Sequence, residues 1–369
     1  MSGPLSTLTA RFHRASARRL EARLKKKWRE KIGAAAFTGL RARPEASEFG
    51  DFTRARAALQ GELVLGAERL PLSALTPWDL ELSALRHVRT LHGFDWLDDM
   101  AGLSGKQARA RAQGWSLGWL DRYGEGTGPG WAPEVTGPRL KRLLWHLEFL
   151  EKGLPEAGTD RLRLALAEHT KVLAEDWEKA EGEAARLAAL SGLIHGAASL
   201  EGFEAARKTA RDGLGALLKG GIAETGASAD RNPEALLDVL LELLQIRDLC
   251  AVTGDTLPAE VDTAIEAIAP TLRLLRHGDG SLARFHGGGS GGEGRLDRAL
   301  AASGVRGRPG QGPAMGYIRL TGRRTQVIAD CARPADQRAS AHASTLGFEV
   351  SSGREQSAIT WVRRPVRRI

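Results

Sequence analysis

Residues 231–250 read RNPEALLDVLLELLQIRDLC. Asn232 stands directly before Pro233, which places an N-capping side chain ahead of a proline at the first helical position. Leu236 to Ile246 is the longest apolar run in the chain, and Asp238 and Glu242 interrupt it. It therefore falls short of the roughly 18 apolar residues that a membrane span needs. The spacing predicts a helix over 233–250.

Working outward, helix-period patterns follow one another with short connections from Pro77 to about Arg276. They predict helices over 79–91, 106–123, 137–151, 160–174, 178–198, 203–219 and 258–275 beside the one at 233–250. Helices joined by connections of a few residues imply stacked helical hairpins. No fixed-period self-similarity is present, which disfavours a regular solenoid and leaves a curved array of helix pairs. Before Pro77, residues 33–75 are loop-rich, with a small hairpin expected over 61–70. After Arg276 the composition shifts. Gly287 to Gly294 reads as a linker, since it lacks the lysine and Ser/Thr of a phosphate-binding loop. Strand-like pieces follow at 315–321, 325–330 and 346–350.

The 369 residues are 42% hydrophobic and 27% charged, which excludes wholesale disorder. Two cysteines, Cys250 and Cys331, make no disulfide framework. Only two tyrosines, Tyr123 and Tyr317, are available to a mechanism that needs one. The net charge of +8 resides in one segment, since Arg11 to Lys31 holds ten basic residues against Glu21 and Glu30. That distribution is not the footprint of a nucleic-acid binder, which spreads basic residues over a folded face and interleaves aromatics. Leu20, Leu24, Trp28 and Ile32 recur every four residues through the segment, which predicts a basic amphipathic helix. Such a helix is either a solvated arm or a contact for an anionic membrane surface. Met1 to Ala10 does not have the order of a secretory signal, in which charge precedes an apolar stretch.

An ordered set of motifs resembles the heparinase II/III-like proteins of Gram-negative bacteria. It comprises HGFDWLDDM at 92–100, ARARAQGWSLGWLDRY at 108–123, GPGWAP at 128–133, Arg231-Asn232-Pro233, LQIRD at 244–248, LLRHGDGSL at 274–282, LDRALAASGV at 296–305 and AHASTLGFEV at 341–350. The resemblance runs from about residue 50 to 353. It implies a mainly α fold, an incomplete (α/α) toroid of helical hairpins followed by a partial antiparallel β-sandwich. On this reading a basic helix and loop-rich region spans 1–75, the toroid 76–290, and the start of the sandwich 312–369. Glu355 to Ile369 matches nothing expected of the family, and we expect the β domain to be truncated there, by a frameshift or in a remnant gene.

The family's characterised members are polysaccharide lyases that act on uronic-acid polymers by β-elimination. A base removes the proton at C5, an acid protonates the leaving oxygen, and a polar group neutralises the carboxylate so that the developing charge is stabilised. The resemblance assigns these roles to Tyr, His and an Asn or Arg. In related sequences a histidine stands three residues before the Arg-Asn-Pro; here the position is Ser228. A tyrosine two residues after the proline is replaced by Ala235. The β-domain motif resembles His-x-His-x-Asp-x-x-x-Phe, of which Ser340, His342, Ser344 and Phe348 occupy the corresponding places. Carried over, the roles fall on Asn232 and Arg231 at the uronate carboxylate, Tyr123 as the remaining acid/base, and His342 facing the cleft. Asn232 has a simpler role open to it as an N-cap alone. Trp131, in a glycine- and proline-rich loop, is the candidate platform for a sugar ring, whereas Trp115 and Trp119 have core spacing. Structural roles are the default for His146, His169, His195, His277 and His286. Zinc occurs in some members, but a lone His342 cannot hold it. The expected partner is an acidic polysaccharide, either cleaved by the chain or bound by an inactive remnant. The family implies the periplasm or cell envelope.

Overall fold

The computed structural model describes residues 22–23, 25–33, 35–46, 50–72, 76–307, 312–333, 345–353 and, for the backbone, 355–359. The chain forms two compact units. One comprises Met1–Glu181 with Ala188–Ala210, the other Gly182–Leu187 with Arg211–Ile369.

In the first unit, α1 (Phe52–Leu59) packs on α3 (Asp95–Leu103) and on a hairpin of β1 (Glu62–Leu65) and β2 (Glu68–Pro71). The hairpin is the one expected from alternation. Helix α2 (Leu85–His92) begins later than periodicity suggests. The Asp79 carboxylate accepts from the backbone N–H of Thr76 at 3.0 Å and from its hydroxyl at 2.7 Å. That closes a single 3₁₀ turn over Pro77–Asp79, and the backbone is extended by Leu80. Then come α4 (Gly105–Tyr123), α5 (Pro133–Trp145), α6 (Leu147–Glu151) and α7 (Glu156–Asp176). Gly137 and Gly192 let two helices touch through their backbones. A Cβ on Gly137 would lie 2.2 Å from the Ala188 carbonyl oxygen, and one on Gly192 would lie 2.2 Å from the Gly137 Cα. Two helices have residues in both units, α8 (Glu183–Ser199) and α9 (Glu204–Leu218).

The second unit is built on α11 (Pro233–Thr253), which starts where Asn-Pro predicts. The Asn232 side-chain oxygen accepts from the backbone N–H of Glu234 at 2.9 Å and of Ala235 at 3.2 Å. Gly254, at φ +71°, ends the helix in the left-handed region that favours glycine. Leu236, Leu237, Leu240, Leu243 and Leu244 are buried. Helix α11 packs on α12 (Ala259–Leu274) and α13 (Arg295–Ala302), and α10 (Ile222–Thr225) packs on α12. Four antiparallel strands follow in the order β3 (Tyr317–Thr321), β4 (Thr325–Asp330), β5 (Phe348–Ser352) and β6 (Glu355–Ile359). One face buries Tyr317, Ile328, Asp330, Glu349 and Ser351, while Leu320 and Phe348 on the other are exposed. Strand β6 pairs with β5 over residues in which the sequence showed no family likeness. Among the described residues no helix is long and apolar enough to cross a membrane.

Candidate functional site

The loop before α11 presents the residues singled out by sequence. Arg231 takes φ +55°, unusual for a side-chain-bearing residue. Its guanidinium is spent on protein acceptors: Nε donates to Met315 O at 3.0 Å, Nη1 to Arg333 O at 2.6 Å, and Nη2 pairs with the Asp330 carboxylate. The Tyr317 hydroxyl donates to the Arg231 carbonyl at 2.6 Å, and the guanidinium lies 4.9 Å from the Tyr317 ring centre. Burial pushes the Tyr317 phenol far above its ordinary value. Arg231, expected to fork onto a substrate carboxylate, is thus paired with Asp330, a fully buried residue at the end of β4.

Asn232 is also occupied. Its side-chain oxygen caps α11, and its amide nitrogen donates to His286 O at 3.3 Å, so both ends of the amide have protein partners. Ser228, at the place of the family histidine, donates its hydroxyl to Asp230 Oδ1 at 2.6 Å. Burial and the charge of Asp230 raise the carboxyl of Glu183, and both residues line the same small cavity. Behind the sheet face, buried His277 lies 2.8 Å from Glu349 Oε2 and 3.1 Å from Ser351 Oγ, while the Arg284 backbone N–H donates to Glu349 Oε1 at 2.7 Å.

Tyr123 and Trp131 belong to the first unit. The Tyr123 hydroxyl approaches Trp78 O at 3.4 Å, and burial raises its phenol above the ordinary value, against a smaller opposing pull from Arg122. A phenol so placed holds its proton at neutral pH. Trp131 donates from Nε1 to Tyr123 O at 2.7 Å, and its ring sits 4.0 Å from Trp28, 5.3 Å from Trp119 and 4.7 Å from His169. It is half-buried in an aromatic cluster rather than displayed on a loop. At the centre of that cluster is Arg139, fully buried, with Nε donating to His169 at 2.8 Å and Nη1 to the carbonyls of His92 (2.8 Å) and Gly130 (2.7 Å). Its guanidinium carbon is 3.9 Å from the Trp119 ring centre, and burial lowers its pKa. The basic segment is docked where it is described. Trp28 is buried, Lys25 and Arg29 each pair with Glu125 at 2.7 Å, and Lys31 pairs with Asp176.

His342 lies outside the described residues. Among those described, no group of three or more His, Cys, Asp or Glu could hold a metal ion. The partners that sequence reasoning missed are Asp330 and Glu349, and Tyr317, named there only as an available tyrosine, holds the Arg231 carbonyl. A signal existed for Asp330, since it shares strand parity with Ile328 and so points inward.

Successive helices followed by a terminal antiparallel sheet are also the fold of solved heparinases. The structure is similar to Heparinase III with a TM-score of 0.69 and 13% identity, over 94% of this chain and 63% of that one. It is similar to a heparan sulfate lyase HepC mutant from Pedobacter heparinus with a TM-score of 0.55 and 14% identity, over 90% of this chain and 59% of that one. Residues 305–359 match the family model "Heparinase II/III-like, C-terminal", so the likeness extends through β6 and past the limit near residue 353 drawn from the sequence. Residues 305–359 thus match that family model, and the chain shares its fold with the solved heparinases. FtsZ-localized protein C from Caulobacter vibrioides (strain NA1000 / CB15N) is 31% identical over 312 residues, 83% of this chain. The chain spans about half the length of that relative, 53%.

Proposed function

We propose that the protein is a non-catalytic member of its family, one that holds an acidic polysaccharide without cleaving it. The observation that carries this reading is Ser228: a hydroxyl bonded to Asp230 stands where the family places a histidine. A serine there supplies no base near neutral pH. The surrounding geometry agrees, because the Asn232 amide and the Arg231 guanidinium are spent on protein groups. The test is to incubate the protein with alginate, heparan sulfate, hyaluronan and chondroitin. We expect retention of at least one polymer with no rise in ultraviolet absorbance from a new C=C bond. An absorbance rise that Asn232→Ala abolishes would instead establish β-elimination, with Asn232, Tyr123 and His342 in the roles the family implies.

A second reading is favoured by the 31% identity shared with a protein named for its localisation with FtsZ. On that reading the chain is recruited to the division site and its lyase fold serves as a binding scaffold. A fluorescent fusion should then form a band coincident with FtsZ; an even distribution would sink the idea. Deleting residues 1–32 separates this from attachment through the basic segment, which predicts release from anionic membranes.

A further inference from the structure

A cleft of about 820 Å³ opens in the second unit, and among the described residues its walls carry four arginines, Arg273, Arg276, Arg306 and Arg319, against a single carboxylate, Asp297. The fold brings them together from separate elements. Arg273 lies in the last turn of α12 and Arg276 just beyond it. Arg319 reaches across from β3, where its Nη1 donates to the carbonyls of Arg273 (3.0 Å), Leu274 (3.3 Å) and Arg276 (2.9 Å), capping the helix end. Arg273 donates from Nη2 to Val305 O, while its Nη1 is buried with no hydrogen-bond partner among the described residues. Arg276 pairs with Asp297 at 2.7 Å, yet its Nε is also buried without a hydrogen-bond partner among the described residues. Burial, and after it the neighbouring charge of Arg276, depress the Arg319 pKa. Buried donors without acceptors are costly, and a concave wall of one sign concentrates counter-ions.

We propose that this cleft binds a small ligand carrying two linked phosphate groups. Planar guanidinium forks match phosphate oxygens two at a time, and the surplus of three positive charges calls for a multiply charged anion. The volume exceeds what a single phosphate fills and lies in the range of small-ligand sites, roughly 300–1,000 Å³. The lining offers no aromatic face for a nucleobase or sugar ring apart from His277, whose ring nitrogens are engaged by Glu349 and Ser351. Leu300 and Val305 supply the remaining wall, which suits a short aliphatic remainder. The site goes beyond the polysaccharide reading, because its ligand class contains no sugar.

The experiment is calorimetric titration of the full chain with inorganic pyrophosphate, with orthophosphate and a sulfated uronate disaccharide as comparators. Pyrophosphate should bind at least tenfold more tightly than orthophosphate. Arg306→Glu, at an exposed position, should weaken it about tenfold or more, and Asp297→Asn should tighten it several-fold by removing the one opposing carboxylate. Circular dichroism of both variants checks that they fold. No binding at millimolar pyrophosphate, or binding indifferent to both substitutions, would overturn the proposal. So would tighter binding of the disaccharide that Arg306→Glu abolishes, since the cleft would then belong to the polysaccharide.

Discussion

Replacing Asp330 by alanine should destabilise the second unit by about 3–5 kcal/mol, the usual result of removing one partner of a buried ion pair. Asp330 has no exposed surface. One carboxylate oxygen takes Arg231 Nη2 and the Ala332 backbone N–H at 3.2 Å, and the other lies 3.4 Å from His286 Nε2. The substitution leaves the guanidinium in place, held by Met315 O and Arg333 O with its counter-charge gone. At ~2–4 °C per kcal/mol for a cooperative unit of this size, the melting transition should fall by roughly 6–20 °C. Calorimetry on Asp330→Ala, Arg231→Met and the double variant decides the matter. Removing both partners spares the cost of a stranded charge, so the double variant should lie well short of the sum of the singles, by roughly 2 kcal/mol or more. Additivity within about 0.5 kcal/mol would refute the pairing as the tie between the loop before α11 and the sheet.

Three further outcomes follow from groups whose ionisation the fold perturbs. Burial lifts Glu168 to about 7 from 4.5. The folded state therefore favours its neutral form, and stability is lost as pH rises from about 4.5 to 7; Glu168→Gln should stabilise by about 1–3 kcal/mol at pH 8 and leave stability at pH 4 unchanged. His92, lowered from 6.5 to about 4 first by burial and then by Arg139, accepts the Trp119 indole N–H at 3.0 Å. Its contribution is present above pH 6.5 and lost as pH falls toward 4, so His92→Gln, which keeps an acceptor but does not titrate, should flatten the stability profile in that window. Cys250 is buried, with its thiol pushed up to about 11, whereas Cys331 is exposed. Iodoacetamide at pH 8 should label Cys331 alone in the native protein and both thiols after denaturation, as mass mapping would show.

The parts of the fold that were legible carry local signals. Asn232-Pro233 set the start of α11 because cap and ring act within one turn, and Thr325–Asp330 read as a strand from alternation alone. Helix α3 gave no such signal. It starts after Phe94, a non-glycine residue at φ +66°, with no side-chain cap, so its first turn is held by packing of Trp96, Leu97 and Met100. Helix α5 begins at Pro133, ahead of the expected Gly137, and continues through Pro138. Its buried Val135, Leu140, Leu143 and Leu144 supply tertiary contacts that outweigh a missing backbone donor.

The site divides along a different line. Sequence pointed to Arg231 and Asn232 as residues of the α11 N-terminus, and they are adjacent there. Their chemistry was invisible because it depends on acceptors far along the chain: Asp330 for Arg231 and His286 O for Asn232. A free guanidinium beside a free amide would be a carboxylate receptor, whereas the same two groups bonded to the sheet and to the 286 loop are a clamp. The difference lies in Asp330, whose charge sits at an inward strand position where a charge is tolerated only with a partner. An inward-facing aspartate was therefore the one sequence feature able to show that the arginine was already taken, and its meaning depends on which cation the fold delivers to it.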